Sequence, residues 1–244
     1  WVNACQSIRQ KYPIFEENYK KSKSYINSYF FIDKLSSILQ KNATVVTDMG
    51  LSFVGTHQGF KIKTGQRLFT NSGHAPMGWG LPAAFGASVE NGVSPVICLT
   101  GDGGFMMNIQ ELATVMCHQP NLKIFIYNNG GYLTIKQTQQ RGFDNRLMGC
   151  TIDSDMSFPN FELISNAHEI PFTRIKNDFE IELLSNFLNK KGPGICELIM
   201  DPNQLQRPIA INKKNQQGLT IPSKYEDLYP FLSENELKQN LAIE

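Results

Sequence analysis

Two segments carry residue types that could hold a phosphate and a divalent cation. Gly101-Asp102-Gly103-Gly104-Phe105 sets one carboxylate among glycines, and Asn128-Asn129-Gly130-Gly131-Tyr132 sets two amides before a second glycine pair. Glycine lacks Cβ, so backbone N–H groups can approach an anion closely in such loops. Asp102, the amide oxygen of Asn129 and a backbone carbonyl such as that of Gly131 make part of an all-oxygen shell. Mg2+ accepts such a shell, with phosphate oxygens and water completing its octahedron. A single carboxylate suits this chemistry, because a second would repel the phosphate. Either motif by itself is an ordinary turn sequence. Their placement argues for more: Gly101 and Asn129 lie 28 positions apart, and each motif directly follows a strand-like run.

The elements that must position these loops follow from periodicity. Phe31, Leu35, Ile38 and Leu39 recur at helical spacing from Ile26 onward, and 43–47 is a short β-branched run. Further strands are predicted at 67–70, 95–100, 122–127, 172–175 and 195–200. Helices are predicted at 79–91, 109–118, 159–168 and 178–190, with Asn108-x-x-Glu111 as the cap of the second of these. The strands are continuous apolar runs, as expected where helices cover both faces of a sheet. The fold class is therefore α/β, a doubly wound parallel sheet flanked by helices, whose ligands sit outside the carboxyl ends of the strands. Residues 1–25 read as a linker from an upstream domain, with Lys20-Lys21-Ser22-Lys23 as a solvated face. Residues 26–200 form the main domain. Residues 201–244 form a carboxyl-terminal arm that must pack on something and ends in a helix opened by a Ser233-x-x-Glu236 capping box.

Bulk properties narrow the classes. Over 244 residues, 23 Lys and Arg against 22 Asp and Glu leave a formal charge of +1, no footprint for nucleic acid or an anionic membrane. No apolar run reaches the ~18 residues needed to span a bilayer, and no basic-then-apolar leader opens the chain. The five cysteines are scattered without metal-ligand spacing, which fits reduced thiols and a cytoplasmic location. Cys98 and Cys196 fall within strands and read as core thiols. His74, His118 and His168 lack ligand spacing, His57 reads as a surface residue, and Met77 on pattern alone reads as core packing. A start at Trp1 suggests a sequence cut from something longer.

The pairing of GDG with NN resembles the signature of the thiamine diphosphate enzyme superfamily. Within it the chain is most similar to the acetolactate synthase branch, through 71–87 (NSGHAPMGWGLPAAFGA), 101–114 (GDGGFMMNIQELAT) and 123–132 (KIFIYNNGGY). The resemblance covers about residues 1–200 and implies thiamine diphosphate and Mg2+ as cofactors. It implies that Asp102, Asn129 and the Gly131 carbonyl hold Mg2+, that Gly103 and Gly104 touch the diphosphate, and that Tyr132 belongs to the same site. Met77 would sit beneath the bent cofactor, and the carbonyl of Ala75, where the family usually has Gly, would accept a hydrogen bond from its 4′-amino group. Gly50, Leu51 and Ser52 match the loop set against the diphosphate, although this branch often carries Gln and His where Leu51 and Ser52 stand.

The implied reaction is decarboxylation of a 2-oxo acid, with pyruvate expected, after which the resulting enamine is protonated or joined to a second carbonyl. The family's activating Glu belongs to a pyrimidine-binding domain, of the same or a neighbouring chain, for which this sequence has no counterpart. No catalytic residue is therefore assigned here; the fragment alone is expected to be inactive, and the complete protein a homodimer or homotetramer. Thr138 replaces a usual Trp within Gln137-Thr138-Gln139, and Leu133 replaces a small residue, both in the region of the second substrate. The arm motif 225–232 (YEDLYPFL) is similar to that of relatives tied to surface-sugar synthesis, which would make a sugar ketone the acceptor. The alternatives are a non-catalytic cofactor-binding subunit of a split 2-oxo acid decarboxylase, or a 2-oxo acid oxidoreductase, whose iron–sulfur ligands have no motif here.

Overall fold

The computed structural model describes residues 1–16, 19, 22–91, 94–215 and 217–242. Lys20 and Lys21 of the predicted basic cluster lie outside the described residues. In chain order the elements are α1 (Val2–Lys11), α2 (Ser28–Ile38), β1 (Thr44–Thr47), α3 (Leu51–Gly59), β2 (Arg67–Phe69), α4 (Gly80–Asn91), β3 (Val96–Gly101), α5 (Asp102–Met107), α6 (Leu112–His118) and β4 (Leu122–Asn128). There follow α7 (Leu133–Gly142), α8 (Phe161–Ala167), β5 (Phe172–Ile175), α9 (Leu183–Asn189), β6 (Gly194–Ile199), β7 (Lys213–Lys214), β8 (Thr220–Ile221) and α10 (Glu234–Leu241).

The chain divides into two compact units, residues 17–204 and residues 1–16 with 205–244. The first holds a six-stranded sheet in the order β2-β1-β3-β4-β6-β5, every pair parallel. This is the doubly wound α/β arrangement expected from the sequence. The chain runs outward from β1 to β2 and then returns to β3 on the other side of β1. The order therefore reverses between β1 and β3, where such sheets open a crevice at their carboxyl ends.

Strand residues alternate between two cores. Val45, Leu99, Phe125, Tyr127 and Leu198 face one way with Phe31, Leu35 and Leu51 from α2 and α3 and Phe187 from α9. Val46, Cys98, Ile124, Ile126 and Ile195 face the other, against Leu81 and Ala84 of α4, Phe105 of α5, Leu112 of α6 and Phe161 of α8. Both faces are dry, which is why these strands are apolar along their whole length. Burying each large side chain contributes roughly 1.5–3 kcal/mol, so β4 anchors both layers, with Phe125 in the first core and Ile124 and Ile126 in the second. The structure places Cys98 and Cys196 in this core.

Three local expectations change. The helix predicted over 109–118 starts instead at Asp102 as α5, breaks at Asn108, passes through a 3-10 turn at Ile109–Glu111 and resumes as α6. Asn108 stands between the two pieces but its side chain caps neither: its amide donates to the Gly78 carbonyl at 2.7 Å, a longer-range demand that outcompetes the local one. The helix expected at 178–190 opens with a 3-10 turn, Asp178–Glu182, before α9. The Ser233 box is half formed, for Ser233 accepts from the Glu236 N–H while the Glu236 carboxylate accepts from the Tyr12 hydroxyl at 2.5 Å.

The second unit comprises α1, the β7–β8 hairpin and α10. The segment read as a linker thus carries a ten-residue helix, and Lys11 and Tyr12 at its end hold α10 through Glu236 and Asn240. Among the described residues no helix is long and apolar enough to cross a membrane.

Candidate functional site

The carboxyl ends of β1, β3 and β4 deliver three loops to one cavity of about 360 Å3. From the first come Gly50, Leu51 and Ser52; from the second Asp102, Gly103 and Gly104; from the third Asn129, Gly131 and Tyr132. Ala75 and Met77, on the segment before α4, complete the wall. All the residues picked from the sequence are therefore brought together. His57, His74 and Thr138 are exposed and outside this lining, whereas Leu133 is buried within it.

Asp102 is the electrostatic centre, only 2 % exposed. Its Oδ1 accepts from the Gly103 N–H at 2.8 Å, and its Oδ2 accepts from the N–H groups of Asn129, Gly130 and Gly131 at 3.2, 2.9 and 3.1 Å. One carboxylate thereby ties the end of β3 to the end of β4. Burial pushes its pKa up to about 6, against the opposing pull of the four amides. No cationic side chain pairs with it among the described residues. A buried carboxylate compensated only by dipoles has an unmet demand for positive charge.

The nearby oxygens meet the requirements of a hard cation. The Asn129 side chain has no hydrogen bond among the described residues, and the Gly131 carbonyl accepts only the Leu133 N–H, leaving a lone pair. One carboxylate, one amide oxygen and one carbonyl form an oxygen-only donor set, which fits Mg2+. Among the described residues no group of three His, Cys, Asp or Glu side chains could hold a metal, so softer or more highly charged sites are absent there.

Glycine in these loops serves the packing of one loop on another. A Cβ on Gly103 would fall 2.0 Å from the Tyr132 ring, one on Gly104 2.4 Å from the Asp48 carboxylate, and one on Gly131 2.1 Å from the Cys150 carbonyl. At Gly101 and Gly130 a Cβ would meet nothing within 4 Å. Ala75, standing where the resembled family has glycine, takes φ +52°, a left-handed conformation that glycine adopts more readily.

Two contributors escaped the sequence reading. Asp48, 1 % exposed, accepts from the Gly78 N–H at 3.0 Å, the Thr100 hydroxyl at 2.8 Å and the Met49 N–H at 2.9 Å. It joins the loop after β1 and the end of β3 to the segment before α4, and desolvation raises its pKa. The turn at 150–154 clamps the third loop, with the Cys150 carbonyl accepting the Tyr132 N–H at 2.9 Å. A carboxylate just after a strand hinted at the first; nothing local marked the second.

The first turn of α3 supplies the remaining wall. Its N-cap, Gly50, lies at φ +93° and supplies no side-chain cap, so the opening amides of the helix border the cavity with the positive end of its dipole. The Ser52 hydroxyl is turned back to the carbonyls of Asp48 and Met49, each 3.3 Å away. An anion at the α3 terminus beside a cation at Asp102 is the pairing this cavity can accommodate.

Comparison with known proteins agrees with this geometry. The family model "Thiamine pyrophosphate enzyme, C-terminal TPP binding domain" matches residues 48–198, from the Asp48 loop through β6. The acetolactate synthase large subunit of Cyanidium caldarium is 30 % identical over 223 residues, covering 91 % of this chain and 37 % of that protein. The Escherichia coli (strain K12) isozyme 2 large subunit is 31 % identical over 202 residues, 82 % of this chain and 36 % of its own length. The probable acetolactate synthase large subunit of Methanococcus aeolicus is 33 % identical over 173 residues, 70 % of this chain and 28 % of its own. The chain spans about a third of the length of the curated relatives it matches. With the matched domain enclosing the whole cavity, the chain belongs to the thiamine pyrophosphate enzyme family and carries its C-terminal, cofactor-binding domain, in a form similar to that of acetolactate synthases.

Proposed function

We propose that this chain supplies the diphosphate and Mg2+ site of an acetolactate synthase-like enzyme that decarboxylates a 2-oxo acid and joins the product to a second carbonyl. One observation carries the reading: the loops after β1, β3 and β4 meet at a cavity whose polar groups are helix-terminal amides, a buried carboxylate without a cation, and an unpartnered amide side chain. Asp102, Asn129 and the Gly131 carbonyl would hold Mg2+, which would offset part of the negative charge of the carboxylate and the diphosphate. Gly50, Leu51 and Ser52 at the start of α3 would take phosphate oxygens, with Gly103, Gly104 and Tyr132 closing the opposite wall. Met77 would support the folded cofactor, and the Ala75 carbonyl would accept from its amino group. When bound, thiamine diphosphate supplies the electron sink for loss of CO2. The residues of this chain bind, orient and desolvate; the carboxylate that activates the pyrimidine would come from a pyrimidine-binding domain in the same or a neighbouring chain of a homodimer or homotetramer. Pyruvate is the proposed first substrate, on the strength of the acetolactate synthases among the relatives. The five cysteines are free thiols, which supports a cytoplasmic site.

Calorimetric titration with thiamine diphosphate tests this, with and without Mg2+. Saturable binding that requires the cation is expected, and Asp102→Ala should weaken it by on the order of 100-fold. Binding that is independent of the cation and unaffected by Asp102→Ala would reject the proposal. Pyruvate should release CO2 with the complete enzyme and not with this chain alone.

A further inference from the structure

The first asparagine of the Asn128-Asn129 pair neither holds the cation nor lines the cavity, yet its surroundings are specific. Asn128 ends β4, and its Nδ2 donates to Glu197 Oε1 on the neighbouring β6 at 2.6 Å. The other oxygen of Glu197, Oε2, accepts from Arg174 Nε on β5 at 2.5 Å, directly across the strand pair, and Arg174 Nη1 reaches Glu162 of α8 at 3.2 Å. Glu197 is only 3 % exposed, so a buried carboxylate has both oxygens matched, one to a cation and one to an amide.

The consequence for the loop is a matter of polarity. A carboxylate only accepts, so the NH2 of Asn128 must face Glu197 and its carbonyl oxygen must face away. That oxygen accepts from the Gly130 N–H at 3.2 Å, the same N–H that lies 2.9 Å from Asp102 Oδ2. Side chains on three adjacent strands therefore form a directed relay from Arg174 through Glu197 and Asn128 to the backbone between Asn129 and Gly131.

We propose that Glu197 is a positioning residue which, by orienting the Asn128 amide, sets the Gly130 N–H and with it the loop that presents Asn129 and Gly131. Its importance for the cofactor rests on the proposed function above; the geometric relay does not. Glu197→Gln cannot satisfy all partners: whichever way its amide turns, one pair of donors is left facing, either at Arg174 or, through a flipped Asn128, at Gly130. The double variant Asn128→Asp with Glu197→Gln restores the polarity. Its new amide on β6 would accept from Arg174 and donate to the new carboxylate at the end of β4, which in turn accepts from Gly130.

Residue-resolved amide hydrogen exchange on the full, cofactor-free chain is the test. Exchange at Gly130 is expected to quicken about tenfold in Glu197→Gln and in Asn128→Ala, and to slow again toward the wild-type rate in the double variant. Should Glu197→Gln fail to fold, Asn128→Ala answers alone, since it sits at a partly exposed position and leaves the Arg174–Glu197 pair in place. In Asn128→Ala the affinity for thiamine diphosphate with Mg2+ should also fall about tenfold. Wild-type exchange at Gly130 in the single variants, or a double variant no better protected than Glu197→Gln, overturns the inference. Failure of the wild-type chain to bind the cofactor would instead count against the proposed function, with the exchange result standing by itself.

Discussion

Single residues in this site are constrained by neighbours more than by their own motif. The two glycines of Gly101-Asp102-Gly103 look alike in sequence, but Gly101 has ordinary extended geometry with open space at its Cβ position, whereas Gly103 lies against the Tyr132 ring. Gly101→Ala should change the stability of the cofactor-free chain by no more than about 0.5 kcal/mol. Gly103→Ala must displace the Tyr132 ring, and a loss of about 1–3 kcal/mol is expected. Urea unfolding of the two variants separates these outcomes; equal effects would mean that the Tyr132 contact does not constrain the loop. GDG and NN marked these residues for one candidate site, and the structure brings them to one cavity. The reason for each glycine was not, because the contacts come from residues far along the chain, such as Tyr132 and Asp48, that only the fold brings near.

At the level of elements, β4 links the site to the opposite end of the sheet. Its carboxyl end carries the asparagine pair, while near its start Lys123 is fully buried with Nζ donating to the Gly192 carbonyl and lying 5.9 Å from the Phe187 ring centroid. Burial lowers its pKa to about 8 from 10.5. A lysine lowered in this way destabilises the fold most at pH below about 8, where it is charged in both states. As pH rises from 8 toward 10.5 the unfolded chain holds more protons than the folded one, and the penalty fades. Lys123→Met should therefore raise stability at pH 7 by about 1–3 kcal/mol, with the advantage over wild type shrinking by about pH 10. Denaturant unfolding at about pH 7, 9 and 10 measures it; an advantage that is absent at neutral pH or constant with pH would refute the assignment. The strand itself was plain from its apolar run, but the sequence could not show that the lysine within it points into the layer. The break at Asn108 was equally hidden, since the sequence offered a capping box and the fold used the side chain to hold Gly78.

For the molecule as a whole, the two ends of the chain share one unit and the cofactor cavity lies entirely in the other. Lys11 contacts Glu236 at 3.0 Å, and the Tyr12 hydroxyl donates to Glu236 and accepts from Asn240 at 2.8 Å. These partly exposed contacts are individually weak, so their effect on α10 adds to the packing of the unit. Deleting residues 1–12 should leave the cooperative unfolding of residues 17–204 intact while α10 becomes sensitive to protease. Limited proteolysis with mass spectrometry reads this directly, and an α10 as resistant as before would show that the amino-terminal helix does not support it. Sequence reading placed the two segments apart, as linker and arm, because pairing between opposite ends of a chain leaves no local trace.

What the sequence determined by itself was the order of strands and helices, the parallel sheet that this order requires, and the two glycine-rich loops, read as a candidate phosphate and cation site, that meet at one cavity. Periodicity and glycine-rich punctuation are local properties, so they survive in one dimension. What only the tertiary structure decided was how the loops are held: Asp48 joining three segments, Cys150 clamping Tyr132, and Glu197 orienting Asn128. Each depends on strand order and register, which bring side chains distant in sequence to hydrogen-bonding distance. The loops of the candidate site were thus readable as residues, and the contacts that hold them only as a fold.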